Sequence, residues 1–266
     1  MAEREQVWAI TMVKNEADII GFTLRHLLAQ NIDGIIVADN LSTDQTRNVL
    51  LNVRRGARIP VLIVDDREVA YYQSAKMTAL ARQAAQLGAS WIIPFDADEL
   101  WYAKQSTIGD ALRSQPLDIQ AIHVQRWNHI STTVDPIVKN PYQRMKYREP
   151  LPIHQKCAFR FRPEFRIGYG NHGVRRKGQR IGLTRQDDIA IRHFPYRSLD
   201  QFIEKAVAGT EALNAAKLKK GLAGHWRKHA ETMEREGRAG MQRVFESQFV
   251  KQSSELIYDP APYRGN

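Results

Sequence analysis

Ser90-Trp91-Ile92-Ile93-Pro94-Phe95-Asp96-Ala97-Asp98-Glu99-Leu100-Trp101 is the stretch on which the reading of the chain turns. Its apolar first half has the length of a buried strand. It runs into three carboxylates within four residues: Asp96, Asp98 and Glu99. In an extended chain Asp96 and Asp98 share a face, because side chains alternate. Two like charges held close raise each other's pKa, so the pattern calls for a cation beside them. A divalent metal with oxygen ligands meets that need. Open α/β sheets also bind their ligands beyond the carboxyl ends of the strands. The plain alternative is an acidic loop or a helix N-terminus, where carboxylates favour the dipole.

Upstream, the chain repeats one unit. Val7–Val13 is apolar and of strand length, and Lys14-Asn15-Glu16 breaks it. Residues 17–30 place Ile20, Leu24, Leu27 and Leu28 on one helical face. Ile35–Ala38 is a second strand ending in Asp39-Asn40. Ser42 and Gln45 have the spacing of a capping box, which predicts a helix from about Thr43. Pro60–Val64 is a third strand ending in Asp65-Asp66, and an Ala- and Leu-rich helix follows over 72–87 with Gly88 as its stop. This β-α-β-α-β-α-β order predicts a parallel sheet, with Lys14-Asn15-Glu16, Asp39, Asp65-Asp66 and the Asp96–Asp98 pair along one crevice. No dinucleotide fingerprint and no P-loop follows the first strand.

A chain of 266 residues can bury a large core. No apolar run is long enough to span a bilayer, and the N-terminal residues have no signal-peptide character. Cys157 is the only cysteine, so no intrachain disulfide forms and a cytoplasmic setting is expected. The net charge of +10 is concentrated: residues 139–192 hold 14 Lys and Arg against 4 Asp and Glu. Such a segment suits an anionic partner, whether phosphate groups, an acidic glycan, nucleic acid or the inner membrane face as a peripheral contact. Its aromatics are not spaced as a stacking platform, which disfavours nucleic acid.

The second half reads as a strand over Ile119–Trp127 and a long Pro-containing loop over 128–153. A strand over Lys156–Phe161, a glycine-rich turn Gly168-Tyr169-Gly170-Asn171-His172-Gly173 and a strand over Ile189–Phe194 follow. Ser198 and Gln201 form a second capping box opening a helix to about Leu213, and residues 223–236 and 239–257 read as two more helices. Met241, Val244, Phe245 and Phe249 make an apolar stripe suited to core packing or a dimer contact.

Residues 10–46, from Ile10-Thr11-Met12-Val13-Lys14-Asn15-Glu16 to Asp39-Asn40-Leu41-Ser42-Thr43-Asp44-Gln45-Thr46, resemble the opening of family-2-like glycosyltransferases. Asp96-Ala97-Asp98 resembles their D-x-D motif, and Asp98-Glu99 with Trp101 resembles the D-x-D-E-aromatic subgroup. Asn40-Leu41-Ser42 departs from the Asp-Gly-Ser that the family often carries. The resemblance implies a GT-A-like α/β fold: a mostly parallel, Rossmann-type nucleotide-binding sheet over 1–118, an acceptor-binding half over 119–197 and a C-terminal helical region over 198–266. It implies a nucleotide-sugar donor, with Val13, Glu16, Asp39 and Asp96 at the nucleotide. Asp98 would hold Mn or Mg with His193 as partner. The metal would neutralise the departing nucleoside diphosphate. The acceptor is left open among a glycan, a lipid-linked molecule and a protein.

An inverting transferase needs a base for the acceptor hydroxyl. The candidates are Asp135, Glu164, His172, Asp187 and Asp188, and the glycines beside His172 favour it by leaving room for an acceptor. Lys156, Arg160 and Arg162 are the candidates for phosphate or acceptor contact. Two rival classes stay open: a nucleotidyltransferase, and a non-catalytic basic binder of nucleic acid or acidic glycan.

Overall fold

The computed structural model describes residues 4–216 and 224–265. The first half alternates as the sequence predicts: β1 (Gln6–Val13), α1 (Ile20–Leu28), β2 (Gly34–Asp39), α2 (Thr46–Gly56), β3 (Val61–Asp65), α3 (Gln73–Gln86) and β4 (Ala89–Pro94). The four strands are parallel in the order β3-β2-β1-β4. Their carboxyl ends come level, with Val13 opposite Asp39 and Asp39 opposite Asp65. Alternation along β1 sends Val7, Ala9 and Val13 into a core with α1 and α2, and Trp8 and Ile10 into another with α3. A parallel sheet buried on both faces results.

The remaining elements are β5 (Glu99–Ala103), α4 (Ile108–Arg113), β6 (Ala121–Thr132), α5 (Pro141–Arg144), β7 (Tyr147–Arg148), β8 (Ile153–Arg160), β9 (Phe165–Ile167), β10 (Val174–Arg176), β11 (Gln179–Arg180), β12 (Thr184–His193), α6 (Leu199–Ala215), α7 (Gly224–Phe249), β13 (Val250–Lys251) and β14 (Ile257–Tyr258). They extend the same sheet. β8 runs antiparallel to β4, with Trp91 opposite Arg160, and β6 runs antiparallel to β8. β12 lies parallel to β6 and antiparallel to β5. The α/β architecture with a second half and C-terminal helices is therefore present, although the sheet is mixed beyond β4. β9, β10 and β11 form a separate small sheet.

Several local expectations change. Ser42 and Gln45 do not cap α2. Ser42 Oγ accepts from the Asn15 backbone N–H at 3.1 Å instead, and the helix starts three residues later than predicted, after Asp44 Oδ1 accepts from Thr46 N at 2.8 Å. Residues 128–153 are not one loop: β6 continues to Thr132, and α5 and β7 follow. The two helices expected after residue 223 do form, meeting at the non-helical Gly237 with φ 62°, but the second ends at Phe249 and not at 257. Ser198 does cap α6, its Oγ accepting from Gln201 N at 3.2 Å, while Gln201 Oε1 accepts from Arg197 N at 3.2 Å and not from Ser198 N. The Met241–Phe249 stripe packs on Phe202 and Tyr196 inside the chain. The tail folds back: Asp259 pairs with Arg148 and Arg192, and Tyr263 stacks on His26.

Arg160 is a structural rivet. Its donors reach both carboxylate oxygens of Glu5, at 2.8 and 3.0 Å, and the carbonyls of Gln115, Pro116 and Ile119. The guanidinium also lies over the Trp91 ring, 4.7 Å from its centroid.

Candidate active site

β4 stops at Pro94, Phe95 N donates to Ile10 O at 3.0 Å, and Asp96-Ala97-Asp98 turns the chain into β5. The turn sends the two carboxylates apart, so they do not share a strand face. Asp96 accepts from Lys156 Nζ and from Asn171 Nδ2 at 3.0 Å. Asp98 is buried and accepts from Lys205 Nζ at 2.6 Å, with Arg197 Nη1 at 3.9 Å. Glu99 is fully buried and accepts from Arg126 at 2.8 Å and Trp101 Nε1 at 3.2 Å, with Lys156 Nζ at 3.2 Å. The cations that the acidic run demands come in part from the protein itself. Burial pushes the Asp98 carboxyl up, but the permanent cations Lys205 and Arg197 hold it well below the usual carboxylate range.

His193 closes the other side of Asp98. Pairing of β12 with β5 sets it opposite Glu99. Its Nδ1 donates to Asn128 Oδ1 at 2.7 Å, and burial lowers its pKa against the opposing pull of Asp98, so the ring is neutral at pH 7. Its Nε2 lone pair then faces Asp98 Oδ1 across 3.6 Å, beyond hydrogen-bond length. Two lone-pair atoms at that separation can both reach one Mg or Mn at about 2.1 Å. Among the described residues no group of three or more His, Cys, Asp and Glu could hold a metal. The pair fits an ion that takes one or two protein ligands and draws the rest from phosphate and water.

His172 lies across the same cavity, of about 330 Å³, which Asp96, Asp98, Lys205 and His193 also line. Its Nδ1 donates to the Gln155 carbonyl at 2.7 Å, which leaves the Nε2 lone pair free, and burial lowers its pKa. Gly170 has φ 69°, and a Cβ there would meet the His172 ring at 2.5 Å. A side chain at 170 would displace the imidazole. The other base candidates are engaged elsewhere. Asp135 accepts from Thr132, Glu164 pairs with Arg176 and Asp187 pairs with Arg185, while Asp188 does not line the cavity.

A second cavity adjoins the first and shares Met12, Glu16, Tyr71, Lys205 and Trp226 with it. Val13 lines the first and Glu16 lines both, but Asp39 lines neither. The Asp39 carboxylate accepts from Ser42 N at 3.2 Å and faces Arg47 at 3.8 Å, so it is spent on its own turn. Its neighbour Asn40 reaches the cavity wall instead, with Nδ2 donating to the carbonyls of Asp66 and Glu68. Lys156 and Arg160 are also redirected: the first is caged between Asp96 and Glu99, the second is the rivet described above. Arg162 is exposed.

Sequence reasoning missed Arg197, Lys205, Tyr71 and Trp226. Arg197 binds Glu16 at 2.5 Å and Asp18 at 2.6 and 2.8 Å. Lys205 lies one helical turn from Gln201 and from Ala208–Gly209, all on the cavity side of α6. A lone lysine on the face of a helix that otherwise buries Phe202, Ala206 and Leu213 was the available signal.

Residues 8–109 match the family model for glycosyl transferase family 2. Over that stretch the chain is similar to glycosyl transferase family 2. The match runs from β1 into α4 and so includes the Asp96–Asp98 turn. Solved structures similar to this chain include S. aureus TarS 1–349, at 15% identity over 91% of this chain and 72% of that one, with a TM-score of 0.43. TarS 1–349 in complex with UDP is similar at 16% identity over 91% and 75%, with a TM-score of 0.40. The same protein in complex with UDP-GlcNAc is similar at 15% identity over 91% and 73%, with a TM-score of 0.42. No curated protein matches the chain.

Proposed function

We propose that the protein transfers a sugar from a nucleoside-diphosphate sugar to an acceptor hydroxyl, with inversion, in the crevice between Asp98 and His172. The observation that carries this is one cavity holding two features: the Asp98–His193 pair of facing lone-pair atoms, and a neutral His172 with its Nε2 free. The adjoining cavity over Asn40 and Tyr71 would take the nucleoside. Asp98 and His193 would hold Mg or Mn, which when bound neutralises the charge of the departing diphosphate. His172 Nε2 takes the acceptor proton as the new carbon–oxygen bond forms and the bond to the diphosphate breaks. Gln155 O holds the ring in the tautomer this needs. Asn171 Nδ2 and Lys156 fix Asp96, which keeps that wall of the crevice in place.

On the acceptor side, the glycine turn that carries His172 leads into the β9–β11 sheet, where Arg166, Arg175, Arg176, Lys177 and Arg180 are exposed. With Arg162 they favour an acceptor that carries negative charge. Among the described residues no helix is long and apolar enough to cross a membrane. Calorimetry with a panel of nucleoside diphosphates, with and without Mn, tests the donor site, and His172→Gln tests the base. Binding of a diphosphate strengthened by Mn is expected. His172→Gln should keep that binding while turnover falls by about 10²–10⁴. No diphosphate binding by the wild type, or full turnover by His172→Gln, would overturn the respective assignment.

A further inference from the structure

Asp98 is the carboxylate a divalent ion would use, yet its Oδ2 already holds a cation, Lys205 Nζ at 2.6 Å. This lysine comes from α6, more than a hundred residues further along the chain. Its remaining contacts are loose: the Pro195 carbonyl at 3.4 Å and Glu16 Oε1 at 3.9 Å. Its side chain is 24% exposed and faces both cavities. The other three buried cations around the crevice differ. Arg126 is held by Glu99 at 2.8 Å and by the His154 carbonyl at 3.1 Å. Arg197, 1% exposed, is tied to Glu16, Asp18 and the Phe194 carbonyl. Lys156, 1% exposed, is closed in between Asp96 and Glu99. Of the four, Lys205 has the room and the loose bonding to move.

We infer that Lys205 is an exchangeable cation, which occupies Asp98 while the crevice holds no donor and turns to the donor's diphosphate when one enters. The inference rests on the reading of the crevice as a nucleoside-diphosphate site. An ammonium group on Asp98 Oδ2 repels a divalent ion approaching Oδ1 of the same carboxylate. A diphosphate reverses the balance, because it offers several anionic oxygens to a flexible, three-donor point charge. Once the lysine leaves, Asp98 Oδ1 and His193 Nε2 face the incoming ion alone. The ion and the diphosphate therefore assist each other, and the assistance is reciprocal. Neither binds tightly by itself. The device keeps the crevice from loading a metal ion without substrate.

The test is Mn titration followed by electron paramagnetic resonance, with and without the nucleoside diphosphate that binds the wild type best. The variants are Lys205→Met, which keeps the apolar stem, and Lys205→Arg, which keeps the charge. Wild type and Lys205→Arg should bind Mn weakly alone and at least about tenfold more tightly with the diphosphate. Lys205→Met should bind Mn alone about tenfold more tightly than wild type, bind the diphosphate alone more weakly, and lose most of the mutual enhancement. Melting curves check that each variant is folded, and Lys205→Gln replaces any Met variant that is not. If the charge-free variant binds Mn alone as weakly as wild type and keeps the full enhancement, the exchange is refuted. A wild type that binds Mn and diphosphate without mutual effect refutes the exchange but leaves the donor site standing. A wild type that binds no diphosphate at all removes the donor-site reading and the exchange with it.

Discussion

Lys156→Met probes the charge network beneath the crevice. Lys156 is 1% exposed, and its ammonium group bridges Asp96 and Glu99. Methionine preserves most of the stem volume, so the cavity contribution is small and the effect is electrostatic. Asp96 keeps Asn171 at 3.0 Å and is one-third exposed, so water compensates there. Glu99 is wholly buried and loses a cation at 3.2 Å, but retains Arg126 at 2.8 Å and Trp101 Nε1 at 3.2 Å. Stranding a fully unpaired buried charge costs 3–5 kcal/mol, and one retained cation places this case at the lower end, about 3 kcal/mol. For a chain of this size that is a melting-temperature drop of about 6–12 °C. Burial pushes the Glu99 carboxyl up while Lys156 and Arg126 bring it below its ordinary value. Loss of Lys156 should raise it, so the variant recovers stability when the pH is lowered enough to protonate Glu99. In a Glu99→Gln background the same substitution strands no charge, and its cost should shrink by at least about 1 kcal/mol. A Lys156→Met protein that melts with the wild type, or an identical cost in both backgrounds, would refute this account.

Three further outcomes are expected. His26 and His129 are buried and held to a pKa of about 4, so the unfolded chain binds protons that the folded one does not. Their stabilisation is present above pH 6.5 and is lost as pH falls toward 4, by about 3 kcal/mol each, measurable by urea unfolding across that range. The kcat/KM profile should show an acid limb from His172 below its ordinary value of about 6.5, absent in His172→Gln, since burial lowers that group. Gly170→Ala should push the His172 ring aside and cut turnover while leaving nucleoside-diphosphate affinity near wild type, and equal losses in both would contradict the placement.

The alternating half of the fold was legible because each unit carries its own signal: an apolar run, a helical stripe and a polar break at the strand end. The stop of β4 before Asp96 and the His172 turn were legible for the same reason. What could not be read were partners supplied from far along the chain. Arg197 meets Glu16 and Asp18 across about 180 residues, and Lys205 meets Asp98 across 107. Nothing local in Asp96-Ala97-Asp98 distinguishes a metal ion from a distant lysine as the balancing charge. The expected same-face pairing of the two aspartates failed because the strand ends at Pro94, four residues short of Asp98. Asp39 was over-read in a similar way, since a strand-end carboxylate can serve its own turn as readily as a ligand. Lys156 and Arg160 show that a concentrated positive charge is not one surface. Two of those cations lie inside the sheet, and the exposed ones gather on β9–β11.

The antiparallel seam between β4 and β8 also bears on how the chain is made. Trp91, Ile92 and Ile93 form the open edge of the early parallel sheet until Phe159 and Arg160 arrive to pair with it. Synthesis at roughly 5–20 residues per second leaves that apolar edge uncovered for about 3–13 s on the ribosome. During that interval it is a template for pairing with another nascent chain. Slowed translation across residues 95–160 should therefore raise the aggregated fraction more than equal slowing after residue 200, although both produce the same mature molecule.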